Sequence, residues 1–231
     1  MLPEPRPRAL LAWSSGKDSA WTLHVLRRSG DVEVVALLTT FNQEFDRVAM
    51  HAVRRDLVEA QAQAVGLPLI NVPLPWPCSN SDYEAAMGTV LATARAEYSV
   101  SRVAFGDLFL EDVRQYRESR LRSTGLAPLF PLWGLPTAGL AREMVTAGLR
   151  ATITCIDPRQ LDREFAGREF DDGFLDDLPD EVDPCGEHGE FHSFAHAGPM
   201  FSRSIPIQVG DVAMRDGFVF ADLLHPEMGE P

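Results

Sequence analysis

The sequence predicts an α/β protein: a parallel five-stranded sheet with helices on both faces, then a small C-terminal α+β subdomain. Three observations carry this reading. Short apolar, often β-branched runs alternate with helix-period segments through the first two thirds of the chain. The connections between successive runs are long enough to hold a helix, as parallel pairing requires. After Asp157-Pro158 the alternation stops, and an acidic stretch leads into three short alternating apolar runs.

Arg8–Trp13 reads as a buried strand, and Asp18–Ser29 as a helix stopped by Gly30. The second strand is Val32–Thr39, followed by a helix over Arg47–Val65 that ends at Gly66. Leu69–Val72 is the third strand. Pro73, Pro75 and Pro77 then hold an extended loop, and Ser81 with Glu84 suggests a capping box for a helix reaching Tyr98. Arg102–Phe105 is the fourth strand, closed by Gly106-Asp107 and followed by a polar helix over about 110–123. Pro136 opens a helix that Gly148 closes, and Ala151–Ile156 is expected as the fifth strand of the sheet. The C-terminal runs are Glu190–His196, Ile205–Val209 and Val212–Phe220, the last with Gly217 at a bend, expected as a small antiparallel unit. The boundary is placed between residues 1–157 and 158–231, and ligands are expected beyond the C-terminal strand ends of the sheet.

The chain has 34 acidic and 21 basic side chains, a net charge of −13, which disfavours stable nucleic-acid binding. Twelve acidic and only two basic residues fall within residues 162–190, so most of the charge is local. Twenty of the basic residues are arginine; the single lysine is Lys17. Three cysteines without a CxxC pair favour a reducing, cytoplasmic setting. No apolar run is long enough to span a membrane, and the start of the chain does not read as a signal peptide.

The segment Ser14-Ser15-Gly16-Lys17-Asp18-Ser19 runs from a strand end into a helix start. Small residues, hydroxyls and a helix N-terminus together suit a phosphate, and Lys17 adds a compact charge. It is neither a Walker A loop nor a dinucleotide fingerprint. The segment resembles the PP-loop, S-G-G-x-D-S, of the ATP pyrophosphatases, with Ser15 where that group usually has glycine. Three further stretches resemble the diphthine–ammonia ligase-like family of PP-loop proteins (adenine nucleotide α-hydrolase-like). They are Asp46–Arg54 (DRVAMHAVR), Phe105–Asp112 with Arg114, Tyr116, Arg117 and Glu118, and Asp183–Phe194 (DPCGEHGEFHSF). His188 and Ser193 depart from the usual residues of the last motif. The resemblance spans Ala9 to Val209 and implies a Rossmann-like, HUP-type fold.

It also implies an ATP-binding, AMP- and pyrophosphate-forming amide ligase that adenylates a carboxylate, small or protein-borne, and passes it to ammonia or an amine. The loop residues Ser14, Ser15, Gly16, Lys17, Asp18 and Ser19 become candidate phosphate contacts, and Asp18 and Asp107 candidate ligands for magnesium brought with ATP. Asp107, beside Gly106, equally suits a turn. Adenine is expected on the backbone at Thr39, Thr40 and Phe41. Lys17, Asp18, Glu187 and Glu190 are the candidate catalytic residues. His51, Glu111, Arg114, Arg117, Glu187, Glu190 and His192 are the candidate substrate contacts. The arginines of the polar helix also read as a solvated face paired with Glu111 and Glu118, and His51 as a packed helical histidine. Glu190 and His192 are expected on one strand face. The Glu187–His196 spacing is not that of a resident metal site. Two other functions fit the loop: a tRNA-modifying PP-loop enzyme and a non-catalytic adenine-nucleotide sensor. A homodimer is compatible with every one of these features.

Overall fold

The computed structural model describes residues 5–48 and 53–226. The chain first forms β1 (Arg8–Ala12), α1 (Lys17–Ser29), β2 (Glu33–Asn42), β3 (Arg47–Val48), α2 (Arg55–Val65) and β4 (Leu69–Leu74). There follow α3 (Asn80–Tyr98), β5 (Arg102–Ala104), α4 (Glu111–Leu121), β6 (Ala127–Leu129) and α5 (Thr137–Thr146). The remainder is β7 (Arg150–Ile156), α6 (Asp172–Asp177), β8 (Phe191–Ala197), β9 (Gln208–Arg215) and β10 (Phe218–Leu224).

Strands β4, β2, β1, β5 and β6 lie side by side in that order, all parallel, with β3 antiparallel on the end of β2. Successive residues of β1 feed opposite faces: Leu11 joins a core with α1 and α2, and Leu10 joins one with the inner sides of α3 and α4. Helices therefore cover both faces. Gly30 ends α1 in the left-handed region at φ 69°, which costs glycine nothing.

Four readings change. Ala151–Ile156 is a strand, but it does not join the parallel sheet. As part of β7 it pairs antiparallel with β8 and β10 in a second sheet ordered β8-β7-β10-β9. The fifth parallel strand is β6, whose three residues include a proline and carry little periodic signal. The change of sheet therefore lies between Leu129 and Arg150, ahead of the boundary after residue 157. The expected helix over Arg47–Val65 begins only at Arg55, because Arg47 and Val48 pair with β2 instead. The α3 capping box is built by Ser79 and Asp82, not Ser81 and Glu84: the Ser79 hydroxyl accepts from the Asp82 amide and the Asp82 carboxylate accepts from the Ser79 amide, both at 3.2 Å. Ile205–Val209 is not a strand of its own: β9 runs unbroken over Gln208–Arg215, and a tight turn at Asp216-Gly217, both at positive φ and at the expected bend, leads into β10.

The second sheet packs on the α1 side of the first. Ile153, Phe170, Phe174, Phe191 and Phe194 share one buried cluster with Leu11, Trp21 and Leu57. The acidic segment is part of this core: Phe170 and Phe174 are fully buried, while the Asp176 and Asp177 carboxylates pair at the surface with Arg142 and Arg168.

Candidate active site

Order reverses at β1, with β2 on one side and β5 on the other. A crevice must open beyond their C-terminal ends. A cavity of about 440 Å³ lies there. The β1–α1 loop supplies Ser14, Lys17, Asp18 and Ser19, β2 supplies Leu38 and Thr40, and the end of β5 supplies Phe105, Gly106 and Asp107. The second unit closes it with Gly186, Glu187, Phe191, His192 and Ser193.

The loop is knitted by its own hydroxyls. Ser14 Oγ accepts from the Gly16 amide and donates to Ser19 Oγ, both at 3.3 Å, and Ser19 Oγ donates to the Gly16 carbonyl at 2.9 Å. Gly106 lies against α1: a Cβ there would come within 3.0–3.1 Å of the Asp18 backbone and the Thr22 hydroxyl. Ser15 adopts the left-handed conformation that favours glycine, with φ at 72°. Its side chain is fully buried, lies outside the cavity lining and has no hydrogen-bond partner for its hydroxyl. Ser15 thus serves the loop through its backbone. Its carbonyl accepts from the Ala195 amide and from Gln61 Nε2, both at 2.9 Å. Gln61, also fully buried, donates to the Ala195 carbonyl at 2.6 Å and accepts the Trp13 indole at 2.7 Å.

Lys17 lines the cavity with its charge already engaged by protein groups. It is 2% exposed. Its ammonium donates to both Asp18 oxygens, at 3.1 and 2.9 Å, and to the Cys185 carbonyl, with the rings of Phe170 and Phe191 over it. Burial favours the neutral form of both partners. For Lys17 the charges of Asp18 and its other acidic neighbours outweigh burial, and its pKa is raised. For Asp18 burial outweighs the lysine, and its pKa is raised as well.

The turn before β8 brings in Glu187. Asp183 organises it: Oδ1 accepts from the amides of Cys185 at 2.8 Å and Glu187 at 3.3 Å. Glu187 Oε1 accepts from the Leu108 amide at 2.7 Å, reaching across to the β5 loop. Burial pushes its pKa up to about 7; the Leu108 N–H opposes this, and the charges of Asp18 and Asp107 add to it. Glu190 stands elsewhere. It is 1% exposed, lies outside the cavity lining, and its Oε1 accepts from the Asp183 amide at 2.9 Å while Oε2 is buried without a partner. Its role is to hold the turn, because the chain reverses at Gly189 before β8 begins. His192 does line the cavity, and burial followed by the Lys17 charge lowers its pKa to about 4, so it is neutral at physiological pH. Cys185 also lines the cavity, and burial raises the pKa of its thiol, which disfavours the thiolate.

Other candidates divide. Arg117 lines the cavity, stacked on Phe105 and paired with Asp107 at 3.3 Å. Arg114 lies outside the lining, over Phe130 and Trp133 and paired with Glu118, and Glu111 is exposed at the start of α4. Thr39 is buried with its hydroxyl on the Trp13 carbonyl, and Phe41 is core, under Arg55; Thr40 alone of the three lines the cavity. His51 lies outside the described residues. Sequence reasoning missed Gln61, Tyr83 and Met87. The last two enter the cavity wall from the first turns of α3, and nothing in their spacing distinguishes them from ordinary helix packing.

A model of the diphthamide synthase N-terminal domain matches residues 7–128, and one of the diphthamide synthase C-terminal domain matches residues 136–220. A diphthine–ammonia ligase of Danio rerio is 25% identical over 231 aligned residues, covering 90% of this chain and 89% of that protein. The Homo sapiens diphthine–ammonia ligase is 23% identical, covering 92% and 87%. That of Schizosaccharomyces pombe is 26% identical over 83% of this chain but only 34% of its own length. No helix among the described residues is long and apolar enough to cross a membrane.

Proposed function

The chain belongs to the diphthamide synthase family, and from that premise we propose that it is an ATP-dependent, AMP-forming amide ligase acting in the cavity between the Ser14–Ser19 loop and Glu187. The observation that carries the proposal is the meeting, in one cavity, of a phosphate-suited helix N-terminus and a carboxylate whose pKa is about 7. ATP supplies the activation, making AMP the leaving group when ammonia joins the acyl carbon.

Ser14, Ser19 and the first-turn amides of α1 beyond Lys17 hold the pyrophosphate portion, with the helix dipole adding favourable charge; Gly16, outside the cavity lining, serves through the turn it allows. Leu38 and Thr40 flank the adenine. Asp18 and Asp107, both in the cavity wall, offer the oxygen donors magnesium prefers; it would screen the phosphates there. Glu187 takes the proton that the attacking nitrogen must lose; a base with a pKa near 7 is matched to that task. Neutral His192 and Arg117 orient the acceptor, a small or protein-borne carboxylate. The setting proposed is cytoplasmic.

Incubation with ATP, magnesium, ammonium chloride and a panel of carboxylic acids tests this. AMP and pyrophosphate are the expected products; ADP and phosphate would overturn the mechanism.

A further inference from the structure

Lys17 is the only lysine in a chain with twenty arginines, and it is buried. Its surroundings use the ammonium fully. An ammonium has three donors. Two sides of it are taken by the Asp18 carboxylate and the Cys185 carbonyl, and the rings of Phe170 and Phe191, with centroids at 5.5 and 5.2 Å, cover it further. Asp18 belongs to the first unit; Cys185, Phe170 and Phe191 belong to the second. The Lys17 amide continues the connection, donating to Ser193 Oγ at 3.2 Å.

We propose that Lys17 is a positioning residue: its ammonium pins the Cys185-Gly186-Glu187 turn to the phosphate loop, and it does not bind the phosphates of the nucleotide. A phosphate could take the ammonium only by stripping Asp18 or the Cys185 carbonyl of a buried partner. The position also explains the lone lysine. A compact ammonium fits between two rings and a carbonyl, where a broad, planar guanidinium would collide. The consequence is register: Glu187, two residues beyond the pinned carbonyl, is held at a fixed place relative to the loop that positions the reacting phosphate. The inference rests on the proposed ligase site for its catalytic meaning, but not for its structural content.

Because Lys17 is the only lysine, an amine-acylating N-hydroxysuccinimide ester reports on it directly in the wild-type protein, with the α-amino group as the internal exposed amine. Mass spectrometry is expected to find Lys17 unmodified in the native protein and modified after denaturation; native labelling at the rate of the α-amino group overturns the proposal. In Lys17→Met, pyrophosphate affinity by calorimetry is expected to change less than fivefold, while amide exchange at Gly186 and Glu187 accelerates at least tenfold. A fivefold or greater loss of pyrophosphate affinity, or unchanged exchange, overturns it. KM for ATP should stay within the same fivefold while kcat falls. If Lys17→Met does not fold, Phe170→Leu, which removes one ring from the ammonium, carries the exchange measurement with the same two outcomes. A wild-type protein that fails to bind ATP would sink the ligase reading and leave the acylation and exchange results to decide the pin.

Discussion

Ser15, in the phosphate loop of the first unit, and Gly186, in the turn of the second, share one backbone conformation, φ 72° and 71°. One position tolerates a side chain and the other does not. At Ser15 the Cβ is accommodated and the hydroxyl is buried without a partner. At Gly186 a Cβ would stand 2.8 Å from the Phe191 carbonyl and 3.1 Å from its ring. The two segments are also closed differently. The Ser14–Ser19 loop closes on itself through neighbouring hydroxyls. The turn carrying Glu187 closes through Asp183, Glu190 and Leu108, with the β8 backbone folded directly beneath it. The loop is tied to its surroundings as well, through the Ser15 carbonyl and the Lys17 amide, so what separates the two positions is space: the Phe191 carbonyl and ring already fill what a Cβ at Gly186 would need.

Gly186→Ala is the hardest blow to the crowded position. Left-handed strain and the backbone contact together are expected to destabilise the protein by about 2–4 kcal/mol. Urea unfolding measures this, and a loss under 1 kcal/mol would show that the turn has room for the Cβ after all.

Glu190→Ala comes next. It strips the Asp183 amide of its acceptor, at a cost of about 1–3 kcal/mol. Activity falls with it because Glu187 loses its support, yet nucleotide affinity, a property of the opposite wall, should hold. Equal losses of ATP binding and turnover would mean that the walls are not separable.

Glu187 adds a pH signature to the same comparison. With its pKa near 7, turnover should rise as pH climbs through 7 and the base is freed, and Glu187→Gln should be slow and lack that limb. Stability runs the other way. The folded protein keeps a proton that the unfolded chain releases near the ordinary carboxylate pKa, so stability declines as pH rises from about 4.5 to 7. The contribution is at most about 3 kcal/mol, and Glu187→Gln should flatten that slope. A parallel slope in both proteins would assign the titration elsewhere.

The same division decides what was legible in the sequence. The phosphate loop could be read because strand, turn and helix start are consecutive, and its small residues have one obvious use. Lys17 stands out in the sequence by its rarity, but its partners Cys185 and Phe170 lie more than 150 positions away, so the direction of its side chain could not be read. Glu190 and His192 were expected together on one strand face; Glu190 instead precedes β8, where the turn after Gly189 sends its carboxylate back to Asp183. Strand β7 was recognised as a strand but placed in the wrong sheet, since an apolar run does not say which neighbour it will pair with. Gln61 carries no motif at all; only the fold shows that it joins Trp13, Ser15 and Ala195.

Ser15→Gly has the smallest effect and tests the roomier position most directly. Three terms compete. Releasing a non-glycine residue from the left-handed region gains about 1–2 kcal/mol, and removing a buried hydroxyl with no partner gains about 1 kcal/mol or more. Against these, glycine frees the unfolded chain by about 0.4–1 kcal/mol, and the vacated volume loses some packing. The balance favours the variant by about 1 kcal/mol, seen as a higher midpoint in urea with an unchanged slope. The backbone bonds of residue 15 to Ala195 and Gln61 do not involve the side chain, so nucleotide affinity should stay the same. A less stable Ser15→Gly protein would mean that the hydroxyl has a partner after all, and that this loop is as tightly specified as the turn it faces.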